Sequence, residues 1–192
     1  MNKMLKLVMV FPLVFLTSCF DDDSSKDKNV DQETEATKEI DKNEDNEGML
    51  EDDVRLEIID YYNYMYGEML TYHNSVISYY DQVLQAPDEV FYGTVIDKII
   101  PQYTEILVEL EKVNSQLNNE DLIKVHEVIV SAVRTQLDGF LLYKKAYENN
   151  NNLYVNEGNE KIREANTLFI KFDEKMSELM RTYEINHFNR SE

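Results

Sequence analysis

The stretch 53-DVRLEIIDYYNYMYGEMLTYHNSVISYYDQVLQ-85 decides the fold. Ile58, Tyr62, Met65, Met69, Tyr72, Val76, Tyr79 and Val83 follow one another in alternating steps of four and three. Ile59, Tyr66, His73 and Tyr80 form a second row beside them. Two adjacent rows at this spacing make a wide apolar stripe, the mark of a helix buried along one side. Gly67 lies off the stripe. The run ends at Ala86-Pro87-Asp88, where proline disfavours helical geometry in the residue before it and Asp88 is suited to cap the next helix.

The same rhythm recurs three times downstream. Tyr92, Ile96, Ile99, Tyr103, Ile106, Leu110, Val113 and Leu117 mark a second helix over 89–117. Pro101 falls inside it, removes one amide and crowds the Asp97 carbonyl, so a kinked helix or two short ones are expected there. Asn118-Asn119 gives a tight connection, with Asn119 as cap. A third helix over 120–148 carries Ile123, His126, Val130, Val133, Leu137, Phe140 and Tyr147, flanked by Leu122, Ile129 and Tyr143. Four asparagines, 149–152, end it. A fourth over 156–186 carries Ile162, Ala165, Phe169, Phe172, Met176, Leu179 and Tyr183, and its tail should fray. Four helices of roughly 45 Å with short connections predict an all-α, antiparallel up-down-up-down four-helix bundle over 49–192. A helical repeat is the second architecture, though only the period, not the sequence, is shared between the two hairpins.

Upstream of this domain, residues 20–48 carry 12 acidic and 4 basic side chains and few apolar ones. Such a segment buries too little to offset its ordering entropy, so a disordered acidic tether of roughly 30 Å is expected. Before it come Lys3, Lys6, an apolar run from Leu7 to Leu16 and then Leu16-Thr17-Ser18-Cys19. The run reaches only ~15 Å, about half a bilayer core, and reads as a signal peptide over 1–18 rather than a span. Leu16-Thr17-Ser18-Cys19 resembles the lipobox of bacterial lipoproteins. The resemblance implies cleavage after Ser18, a diacylglycerol thioether on Cys19 and a position at the outer face of the cell membrane. The third and fourth helices, through Leu122-x-x-x-His126, Phe140, Tyr147 and Glu160 to Met180, also resemble the helical domains of small lipoproteins from low-G+C Gram-positive bacteria. That likeness carries over no catalytic residue.

The rest of the sequence argues mainly by exclusion. A net charge of −19 opposes binding to nucleic acid, whose phosphates need basic contacts. Cys19 is the single cysteine, so an internal disulfide framework and a cysteine-based zinc site are ruled out. No Gly-x-Ser-x-Gly, phosphate loop or His-Glu-x-x-His is present, no Glu stands three residues before His73 or His126, and no cofactor is implied. His73 and His126 sit on or beside apolar stripes and define the alternative reading, a metal-binding or enzymatic bundle. A purely structural or immunity-type lipoprotein is a third. The leading expectation is a non-enzymatic binding module for an envelope protein or cell-wall component. Tyr61, Asn63 and Tyr64, placed off the stripe, are its contact surface. In the anchor's test, protein from native membranes has the intact mass of residues 19–192 plus diacylglycerol, and Cys19→Ser releases it to the soluble fraction. An unlipidated wild-type mass would make the cysteine incidental.

Overall fold

The computed structural model describes residues 44–185, with side chains from residue 51 onward. The expected signal peptide, Cys19, the expected tether up to residue 43 and the tail from residue 186 lie outside the described residues.

Four helices surround one core, and no strand occurs among the described residues. Helix α1 runs as Glu44–Tyr64, continues through a π-helical turn at Met65–Met69, and finishes as Leu70–Val83. Helix α2 repeats this plan with Asp88–Thr94, a π turn at Val95–Ile99 and Ile100–Asn114. Helices α3, Glu120–Asn149, and α4, Leu153–Thr182, are uninterrupted. The first helix therefore begins inside the stretch expected to be tether. Extending a formed helix adds one hydrogen bond for each residue fixed, so it costs less than starting one, and α1 grows back to Glu44.

The connections follow the breakers. Pro87 takes the cap position of α2 in extended geometry, so Asp88 stands in the first turn rather than at the cap. Asn119 caps α3 as expected, its Oδ1 accepting from the Leu122 amide at 2.8 Å. The asparagine run stops α3 with Asn150 left-handed (φ 47°), and the Asn151 amide donates to the Ala146 carbonyl. Asparagine tolerates this geometry better than most residues. Pro101 does not end the helix. The preceding π turn uses the wider bond from the Ile100 amide to the Val95 carbonyl, and α2 continues with Pro101 exposed.

The core rows depart from the sequence expectation in α1. The buried residues are Ile58, Tyr61, Met65, Met69, His73, Val76, Tyr80 and Leu84, whereas Tyr62 and Tyr79 are half-buried and Tyr72 is exposed. Their steps are mostly of four, longer than the 3.5-residue repeat read from the sequence. The π turn packs more residues into one turn and rotates the downstream half onto the neighbouring row. In α4, which has no π turn, Ala165, Phe169, Phe172, Met176 and Leu179 are all buried as expected.

Helices α3 and α4 meet at glycines. A Cβ on Gly139 would lie 2.9 Å from Ile162 Cδ1 and 3.1 Å from the Gly158 carbonyl oxygen. One on Gly158 would lie 2.7 Å from the Tyr143 ring and 3.0 Å from the Gly139 carbonyl oxygen. Gly93, in α2, has nothing within 4 Å of such an atom. Gly139→Ala and Gly158→Ala should each lower stability by about 1–3 kcal/mol, because the opposing backbone cannot step aside. Gly93→Ala should raise it by about 0.5–1 kcal/mol through helix propensity. Urea denaturation of the three variants checks both signs.

Candidate functional site

The polar groups inside the core form three layers. In the first, His126 of α3 is fully buried. Its Nε2 lies 2.8 Å from the Leu110 carbonyl oxygen of α2, and its Nδ1 lies 2.9 Å from the Tyr61 hydroxyl of α1. A carbonyl only accepts, so Nε2 carries the proton and Nδ1 accepts from Tyr61. In the second, His73 Nε2 meets the Tyr103 hydroxyl at 2.8 Å and lies 3.3 Å from Gln136 Oε1. Its Nδ1 has no hydrogen-bond partner. The ring borders a small cavity of about 20 Å³, shared with Met65, Met69, Phe169 and Asp173, with room for about one water. In the third, Tyr143 donates to Asn159 Oδ1 at 2.6 Å, and its hydroxyl lies 3.5 Å from that of Tyr80.

Burial shifts these groups in one direction, toward the neutral form. It pushes both imidazoles below the ordinary histidine value, with the Gln136 contact opposing it at His73 and the Leu110 carbonyl opposing it at His126. It pushes the Tyr61 and Tyr103 hydroxyls well up. Asp173, which accepts from the Tyr66 hydroxyl at 2.7 Å, is also held above the usual carboxylate value by burial, against the effect of that bond.

The alternative based on His73 and His126 needs both rings at one centre with acidic oxygens beside them. Instead they belong to separate hydrogen-bonded sets, and no group of three His, Cys, Asp or Glu side chains is placed to hold a metal among the described residues. Both nitrogens of His126 are taken by protein partners.

The expected tyrosine surface requires a correction. Tyr61 is only 4% exposed, because the core row of α1 runs through it rather than through Tyr62. Asn63 is exposed and Tyr64 half-buried, so these two remain available. Tyr61 and Tyr64 line a groove between α1 and α2. Its cavity is about 590 Å³, and Leu56, Val113 and Leu117 line it with them. A second opening of about 470 Å³ continues it past Glu109 to Val108, Glu105 and Tyr72. Leu56 and Val108 stand 57% and 56% exposed on this face. The sequence reading missed the groove, because Leu56 and Val108 lie off every periodic row. An exposed leucine and valine on adjacent helices were the signal available.

No helix among the described residues is long and apolar enough to cross a membrane. Compared with protein-family models, curated proteins and solved structures, the chain matches none.

The histidine layers carry a pH prediction. Unfolded, both imidazoles titrate near 6.5. With the folded values lowered, the unfolded chain binds more protons below that pH. Stability is therefore fully present above about pH 6.5 and falls as pH drops toward the folded values. Asp173, raised by burial, acts oppositely, since its contribution is lost as pH rises through its folded value. In an Asp173→Asn background the urea midpoint should decline steadily below about pH 6.5. A flat midpoint would mean that the rings are charged inside the core.

Proposed function

We propose that this chain is a lipid-anchored, non-enzymatic interaction module at the outer face of the cell membrane. In this reading Cys19 carries the lipid, a disordered acidic tether lifts the domain off the surface, and the domain is an antiparallel up-down-up-down four-helix bundle. The antiparallel order draws support from contacts that run in opposite senses along paired helices. In α1 and α2, Glu57 accepts from the Asn118 amide, Tyr72 donates to Glu105, and Tyr80 packs on Phe91. In α3 and α4, Tyr183 donates to Asp121 while Tyr143 donates to Asn159.

The observation that carries the functional reading is the α1–α2 groove, with an apolar lining left open to solvent. Leu56 and Val108 lie along this opening beside Val113 and Leu117, so they belong to a grouped apolar face rather than to singly scattered side chains. The contact surface is thus Asn63 and Tyr64 with Leu56 and Val108. Tyr61 supports it from beneath, and its loss would strip His126 of a partner rather than remove a contact. A photoreactive residue in place of Asn63 should give a discrete cross-linked adduct in intact cells, and Leu56→Ser should reduce it several-fold while the helical content persists. No adduct on irradiation, with the protein present at normal levels, overturns the interaction reading.

A further inference from the structure

We propose that the α1–α2 groove seats a cationic amphipathic helix of a partner protein. This rests on the interaction-module reading and names the chemistry of what is bound. The groove combines two features. An apolar set lines it, from Leu56, Tyr64, Val113 and Leu117 to Val108 and Met69, beside the polar Gln116 and Asn118. Its margins are acidic, with Asp53, Glu57 and Asp60 on α1 and Glu105 and Glu109 on α2. Lys112 is the single cation of the lining, and Glu109 already pairs with it at 3.4 Å.

Length and shape select a helix. From Asp53 to Tyr72 the groove follows α1 for about 28 Å at ~1.5 Å per residue, enough to cradle a helix of five turns. An amphipathic helix docks in such a groove through apolar side chains at i, i+3, i+4 and i+7. Lysines and arginines flanking that stripe would meet the acidic margins, and steer the encounter as well as orient it.

Charge also removes the other occupants. The chain's own acidic stretch, 12 acids to 4 bases over residues 20–48, has the same sign as the groove. A second copy brings a net charge of −19. An anionic lipid leaflet and a nucleic acid are repelled for the same reason. A cationic protein segment is the class whose charge and apolar pattern both match.

The test uses the full chain carrying Cys19→Ser, which needs no detergent, and a synthetic helix of about 18 residues with leucines on one face and lysines on the other. Calorimetry at physiological ionic strength should show binding. Leu56→Ser with Val108→Ser leaves the charge unchanged and should weaken it by about tenfold or more. Leu153→Ser with Ile170→Ser, equally exposed but outside the groove, should not. Glu109→Lys with Asp60→Lys should weaken it further and flatten its salt dependence. The inference is overturned if no binding occurs, if a scrambled peptide of the same composition binds as well, or if both serine pairs behave alike. It is equally overturned if vesicles of anionic phospholipid occupy the groove in the peptide's place. An in-cell adduct at Asn63 that persists when the peptide fails would leave the interaction reading standing and reject the cationic helix alone.

Discussion

One imidazole ties three of the four helices together. His126 belongs to α3, donates to a carbonyl of α2 and accepts from a hydroxyl of α1. Apolar packing between long helices is non-directional, and much of it survives a slide by one turn. The bonds of a buried imidazole do not, because a slipped partner leaves a polar atom unsatisfied at a cost of about 1–3 kcal/mol. The same logic repeats below, where Tyr103, His73 and Gln136 again join α2, α1 and α3. From α1 to α3 the partners are Tyr61 with His126, His73 with Gln136, and Tyr80 with Tyr143. Helix α1 uses more residues between the first two layers than α3 does. The π turn at Met65–Met69 lies in that interval and takes up part of the excess.

That turn also explains what could be read from the chain beforehand and what could not. Helix number and connections were legible because their signals are local. Pro87, Asn119 and the asparagine run act on the backbone beside them. The core of α4 was legible because an uninterrupted helix keeps its period. In α1 the period changes partway along, and no residue type announces a π turn, so downstream of it His73 and Tyr80 take the core places read for Tyr72 and Tyr79, while upstream the row passes through Tyr61 rather than Tyr62. Gln136 was invisible for a different reason. A polar residue on an apolar face is interpretable only once its partner is known, and its partner is in another helix. The groove was half legible: Tyr64 and Asn63 were singled out, but Leu56 and Val108 share their face only after α1 and α2 are set side by side.

The two halves of the domain reach the same fold by opposite means. Helices α3 and α4 bring Gly139 and Gly158 together, so backbone approaches backbone with Ile162 and Tyr143 packed on the glycines. On the α1 side, packing relies on rings, with Tyr61, Tyr80, Tyr103 and Phe91 filling the space between helices. On that side a groove stays open between the helices, lined at one end by Tyr61 and Tyr64.

The glycine contact has a consequence for motion. Local opening in a protein draws on the parts with the fewest close contacts, and the rest behaves as a more cooperative unit. At Gly139 and Gly158 the two backbones come close, with the Ile162 and Tyr143 side chains packed on the glycines, so α3 and α4 have little room to slide past one another. Slow amide exchange is therefore expected to concentrate in that pair. Helices α1 and α2, which have no such clasp among the described residues, are where readier local opening is expected.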